Sequence, residues 1–66
     1  MTADTEAKML NELRGHLRIA EARHWNIDKM LFIDGFLKAL NMATGKNYGF
    51  SGLNVYLTDN NGRHRI

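Results

Sequence analysis

The chain has 66 residues, of which nine are basic and seven acidic, so its net charge is +2, and it contains neither cysteine nor proline. A chain of this length makes a single domain, 1–66, and buries only roughly 60% of its unfolded surface. The composition excludes disulfides and thiolate metal sites, and the charge is weaker than a dedicated nucleic-acid-binding protein carries. No apolar run reaches the ~18 residues of a membrane span. The polar start MTADTEAK is unlike a signal peptide, so we expect a cytoplasmic protein.

The first predicted element is a helix over residues 2–24. Thr2 or Asp4 can cap its start, because both side chains accept hydrogen bonds from free helical N–H groups. Apolar residues recur at spacings of three and four and form one narrow stripe, made of Met9, Leu10, Leu13, Leu17 and Ala20. The opposite side is charged, so this helix is expected to bury one face and expose the other.

The second predicted element is a helix over residues 27–43. Asn26 is a suitable N-cap, and Trp25 and Met30 have the spacing of a hydrophobic staple around it. Gly45 follows the last apolar residues and can take the left-handed conformation that ends many helices.

The remaining chain is predicted as a loop, 44–53, followed by a β-hairpin, 54–66. The face of the alternating pattern switches near Ser51 and Gly52, which predicts a turn or bulge there. Within the hairpin, Asn61-Gly62 is the dipeptide favoured in type I′ turns.

A two-residue turn at Asn61-Gly62 sets the register of this hairpin. It places Leu57 opposite Ile66 and Asp59 opposite His64. The fold class is therefore α+β, with two antiparallel helices followed by a C-terminal β-hairpin.

The second helix carries more apolar residues than one core stripe needs. An arc of roughly 180° on the helical wheel holds Met30, Phe32, Ile33, Phe36, Leu37, Leu40 and Ala43. Leu31 and Met42 lie outside this arc, among polar residues, and Gly35 lies beside them. Scattered exposed apolar residues need no explanation. The alternative is an interface, which we call the outer strip and define as Leu31, Gly35, Lys38 and Met42.

The size of the chain favours the interface. Small domains usually gain stability from disulfides, metals or oligomerisation, and cysteine is absent here. A two-fold contact through the outer strip would bury further apolar surface, so we expect a homodimer.

No pattern in the sequence indicates catalysis, a metal or a cofactor. Glu12 and His16 are four residues apart on a helix, but no HExxH motif is present. Ser51 is the only serine and lies in GFSG, which is not a nucleophile elbow. We therefore predict neither catalytic nor metal-binding residues, no cofactor and no enzymatic activity.

The basic end GRHRI supports a second hypothesis. Arg63 and Arg65 project to one side of the last strand, with Tyr56 on the same side of its neighbour, and such a ribbon can stack a base and contact phosphates. Arg14 and Arg18 on the first helix would extend this patch. The same pattern is also typical of an edge strand protected from aggregation by its charges.

Three functional hypotheses follow. The first is a small non-enzymatic interaction protein, a regulator or inhibitor of the kind that phages and mobile elements encode, which binds a larger protein partner. The second is a weak nucleic-acid-binding protein that uses the basic hairpin. The third is an oligomer that binds a small ligand or nucleotide in a pocket between subunits.

Overall fold

Two helices precede a three-stranded antiparallel sheet in a computed structural model that describes residues 1–66. The elements in chain order are α1 (Ala3–Ala22), α2 (Ile27–Thr44), β1 (Asn47–Ser51), β2 (Asn54–Asp59) and β3 (Gly62–Arg65). The predicted α+β class, with two helices followed by a hairpin, is confirmed. The sheet contains one strand more than the predicted hairpin.

Three of the four helix ends have the predicted caps, whereas α1 ends at Ala22 and not at residue 24. Thr2 caps α1 and accepts a hydrogen bond from the Thr5 N–H at 3.2 Å. Asn26 caps α2 and accepts one from the Lys29 N–H at 2.8 Å. Gly45 ends α2 with a left-handed φ of +68°.

The chain reverses between the helices at His24, for which no sequence pattern predicts this role. α1 ends at Ala22, and His24 then takes a φ of +69°, the one non-glycine residue in a left-handed conformation. Glycine or asparagine usually fills such a position, because a Cβ atom is strained there.

The segment predicted as a loop, 44–53, contains strand β1, which is a correction. The predicted turn near Ser51 and Gly52 instead joins β1 to β2 as a tight connection, with Ser51 opposite Asn54. Gly52 supplies the positive φ, +56°, that short hairpin loops need at their first position. The change of face in the sequence pattern therefore marked a hairpin between two strands.

The predicted register of the last hairpin is wrong by two residues. Asp59 pairs with Gly62 and Leu57 pairs with His64, so the turn lies at Asn60-Asn61. The Asp59 carboxylate accepts the Asn61 N–H at 2.8 Å, a local bond that fixes the turn one residue earlier than predicted. A shift of two residues leaves every side chain on its predicted face.

The core lies between the helices and one face of the sheet. Eight of the 66 residues are buried, namely Leu13, Leu17, Ala20, Ile33, Leu37, Leu40, Tyr48 and Val55. The accessible surface is 4682 Å², whereas a folded monomer of this mass exposes about 4,300 Å² on average. The chain therefore leaves more surface in water than its size requires.

The buried arc of α2 is narrower than predicted. Met30 is 49% exposed and Phe32 51% exposed, and Ala43 is exposed as well, although all three were expected in the core. α2 packs mainly against α1 and β1, and the residues of α2 that become fully buried are the line of Ile33, Leu37 and Leu40. Neither helix combines the length and apolar character that a bilayer span would need.

Candidate interaction surfaces

The outer strip lies on the side of α2 that faces away from the core. Leu31 is 63% exposed and Met42 86% exposed, and Gly35 and Lys38 are exposed between them. The Lys38 ammonium lies 3.1 Å from the Asp34 carboxylate on the same helix. The strip is therefore an exposed face that carries two large apolar side chains and one ion pair.

Sequence reasoning missed one residue that extends this strip. Ile27 is 70% exposed and precedes Leu31 by four residues, so it continues the same face by one turn. Its spacing from Leu31 and Gly35 was a usable signal. The position of Ile27 at the first residue of α2 obscures this signal.

Gly35 has no role in the packing of the chain itself. A Cβ atom added there would meet no other atom within 4 Å, and its φ is not left-handed. Glycine inside a helix costs about 1 kcal/mol relative to alanine. Close approach of another backbone would account for it, although Gly15 in α1 has the same open surroundings without belonging to the strip.

A second surface is the outer face of the sheet. Tyr56 lies directly opposite Arg65, and the Arg63 guanidinium lies over the Tyr56 ring at 3.9 Å from its centre. The structure thus brings these three predicted residues together. Arg14 and Arg18 lie in the helical layer, on the other side of the sheet, so they do not extend the patch.

The free edge of β1 is closed at Tyr48 by a side chain. The Tyr48 N–H donates to Asn41 Oδ1 at 2.7 Å, and Asn41 Nδ2 donates to the Tyr48 carbonyl at 3.1 Å. The amide of Asn41 therefore makes the two bonds that a residue of an additional strand would make. No local sequence pattern indicates this contact, because Asn41 and Tyr48 are separated by the end of α2.

A polar cluster joins this end of the sheet to the start of α1. The Tyr48 hydroxyl and the Lys46 ammonium both donate hydrogen bonds to the Glu6 carboxylate, the latter at 2.9 Å. These bonds hold the pKa of Glu6 below its ordinary value, the Tyr48 bond contributing most. The pKa of Tyr48 is raised, chiefly by burial and then by the hydrogen bond to Glu6. The pKa of Lys46 is raised, chiefly by its own hydrogen bond to Glu6. The cluster therefore links the sheet to α1, and its charged groups are paired with one another.

The free edge of β3 is open. The Ile66 N–H donates to the Val55 carbonyl at 3.0 Å. Because hydrogen-bonded and non-bonded pairs alternate in antiparallel sheets, His64 also directs its backbone groups to β2, whereas Arg63 and Arg65 direct theirs outward. All four residues of β3 are exposed.

Beside this edge, Asp59 and His64 interact across the last turn. His64 Nε2 lies 3.0 Å from an Asp59 carboxylate oxygen. This contact, together with the Asn61 N–H, lowers the pKa of Asp59. The acidic side chain nearest to β3 is therefore already engaged.

The structure shows little concave surface. One open depression of about 330 Å³ lies beside the start of α2 and is lined by His16, Asn26, Asp28, Lys29 and Phe32. The His16 ring packs edge-on against Phe32 at 4.8 Å and also contacts Glu12. No group of three histidine or carboxylate side chains is close enough to hold a metal ion.

Comparison of the chain with models of protein families, with curated proteins and with solved structures finds no match.

Proposed function

We propose that this chain is a small non-enzymatic interaction protein that regulates or inhibits a larger protein by binding it through the outer strip. The exposure of Leu31 and Met42 on the helix face opposite the core carries this proposal. Both side chains are large and apolar, and covering each of them would contribute ~1.5–3 kcal/mol to binding.

In the absence of that partner, a second copy of the chain is the proposed occupant of the strip. If two α2 helices pack antiparallel, Leu31 of each copy lies near Met42 of the other. Asp34 then lies beside Lys38 of the other copy, so the charges as well as the apolar groups are complementary. Gly35 allows the helices to approach closely at the centre.

Sedimentation velocity over a range of protein concentrations tests this proposal. The wild type is expected to dimerise, and the variant carrying Leu31→Glu and Met42→Glu is expected to stay monomeric with unchanged helicity by circular dichroism. A matched control carries Ala3→Glu and Asn11→Glu, two exposed changes on α1 that add the same charge, and should associate like the wild type.

The same three proteins, used as bait in the native host, test the larger partner. A partner that binds the strip is retained by the wild type and by the α1 control and lost by the strip variant. Equal sedimentation and equal capture for all three proteins would contradict the proposal.

The geometry of Tyr56 and Arg63 supports nucleic-acid binding as a second candidate. An aromatic ring and a guanidinium stacked on an open sheet face can receive a base and a phosphate. Fluorescence polarisation with a single-stranded oligonucleotide at two salt concentrations tests it, because phosphate contacts weaken steeply as salt rises. Absence of binding at low salt would exclude this candidate.

A further inference from the structure

The two edges of the sheet differ in their backbone hydrogen bonds. At β1 the outward N–H and C=O of Tyr48 are both bonded to Asn41, and only those of Phe50 remain open. At β3 no hydrogen bond is formed by the outward N–H and C=O groups of Arg63 and Arg65, and neither helix packs extensively against this strand. The open edge is therefore able to accept another strand.

The charges of β3 select the kind of strand. Pairing with a second copy of β3 in antiparallel register would set Arg63 opposite Arg65 of the other copy, and like charges directly opposite are destabilising. A strand with carboxylates at these positions would instead form ion pairs on the outer face. Asp59, the nearest carboxylate of the chain itself, is bonded to His64 and does not neutralise the two arginines.

The alternation of faces defines the sequence of that strand. Arg63 and Arg65 lie on the outer face, and His64 and Ile66 lie on the inner face, next to the core. Ile66 is 41% exposed, so an aliphatic side chain beside it would gain apolar contact. A matching segment is therefore acidic at alternate positions and aliphatic between them.

We infer that the β3 edge binds an extended segment of a partner protein with alternating acidic and aliphatic residues, which adds as a fourth strand. The backbone groups of Arg63 and Arg65 exchange hydrogen bonds with the segment, and their guanidinium groups pair with its carboxylates. This surface is separate from the outer strip, so an experiment can contradict binding at one surface without contradicting binding at the other.

Titration of the ¹⁵N-labelled full chain with the peptide acetyl-Glu-Val-Glu-Val-Glu-amide tests the inference. Binding is expected to slow hydrogen exchange of the Arg63 and Arg65 amides at least about tenfold, because they become hydrogen-bonded. A Lys-Val-Lys-Val-Lys peptide is the matched control and should cause no such protection. If neither amide gains protection with the acidic peptide, the inference is wrong.

Two variants of Arg65 separate the contribution of charge from that of the backbone. Arg65→Thr removes the charge and keeps the N–H, while Arg65→Pro removes both, and proline is tolerated on an edge strand where the N–H faces outward. The threonine variant should bind the acidic peptide about threefold to tenfold more weakly than the wild type, and the proline variant about fivefold more weakly still.

Thermal unfolding confirms that both variants fold before they are compared. Equal affinities for the threonine and proline variants would show a contact by charge alone and would overturn strand addition. Displacement of the acidic peptide by a single-stranded oligonucleotide that gives no amide protection would assign the arginines to nucleic acid and would also overturn the inference.

Discussion

The two edges of the sheet differ in the hydrogen bonding of their outward backbone groups. At β1 a side chain from α2 satisfies the outward N–H and C=O of Tyr48, and the Glu6 cluster ties the same strand to α1. At β3 the corresponding groups face solvent beside two arginines. The hydrogen bonds at the first edge stabilise the fold, whereas the outward backbone groups of the second edge are free to bind other molecules. The outer strip belongs with the second, because its apolar groups are also left uncovered.

Among changes outside the apolar core, we expect the strongest effect on stability from removing the side chain that bonds the β1 edge. Asn41→Leu leaves the N–H and C=O of the buried Tyr48 without partners, which should lower the free energy of unfolding by about 2 kcal/mol. Denaturant unfolding monitored by circular dichroism measures this loss. Asn11→Leu makes the same change on the exposed side of α1 and should alter stability by no more than about 0.5 kcal/mol. Equal effects at the two positions would show that Asn41 does not close the edge.

Gly35 and Gly15 provide a matched pair for the next effect. Both lie within helices with no other atom near an added Cβ, so Gly35→Ala and Gly15→Ala should each raise the free energy of unfolding by about 1 kcal/mol. Bulkier replacements then separate the two sites. Gly35→Gln should weaken self-association in sedimentation velocity, whereas Gly15→Gln should leave it unchanged. If both replacements act alike, the strip is not the contact surface.

The Glu6 cluster predicts a pH dependence of stability with a definite sign. The pKa of Glu6 is lowered in the folded state from an ordinary value of 4.5, so the stabilisation is present above that value and is lost as pH falls through the lower folded pKa. The pKa values of Tyr48 and Lys46 are raised, so their contribution is lost only at alkaline pH. Thermal midpoints of the wild type should therefore fall below about pH 4.5.

Glu6→Gln is the variant that isolates this carboxylate. It should be less stable than the wild type at pH 7. Its stability should also fall less steeply on acidification, because it has no carboxylate at position 6 that can become protonated. An acid decline as steep as that of the wild type would assign the effect to other carboxylates, such as Asp59, whose pKa is also lowered.

The smallest expected effect concerns the exposed apolar side chains. Leu31→Gln and Met42→Gln should each change the stability of the monomer by less than about 0.5 kcal/mol, since neither side chain is buried by the chain itself. Leu37→Ala, between them on the same helix but in the core, should cost about 2–5 kcal/mol in the same assay. A large loss at Leu31 or Met42 in dilute monomer would mean that the strip contributes to the core.

Local signals in the sequence predicted most of the fold. The caps at Thr2 and Asn26 and the left-handed Gly45 depend on residues within one turn of each helix end, so they could be read directly. The two errors in the sheet have different causes. The register shift followed from the dipeptide preference of Asn61-Gly62, whereas the local bond from the Asn61 N–H to Asp59 favours a turn at Asn60-Asn61. Strand β1 was not predicted because its pattern indicated a loop, although these residues pair with β2.

The candidate surfaces could be predicted only in part. The exposure of Leu31 and Met42 follows from the helical period, because the two residues lie opposite the line of Ile33, Leu37 and Leu40. The bonding of the β1 edge by Asn41 could not be predicted. It requires the end of α2 to pack beside the sheet, and no local sequence pattern specifies that contact. The separation of Arg14 and Arg18 from the basic hairpin likewise depends on which side of the sheet the helices cover.

The central claim is that the monomer leaves the outer strip uncovered for a partner. Methyl NMR with a soluble paramagnetic agent tests it most directly, by comparing relaxation of the Leu31 and Met42 methyl groups with that of the buried Leu37 methyl groups. We expect strong relaxation at Leu31 and Met42 in dilute monomer and progressive shielding as the protein concentration rises, with Leu37 shielded throughout. Shielding of Leu31 and Met42 equal to that of Leu37 in a monomer of confirmed mass would contradict it.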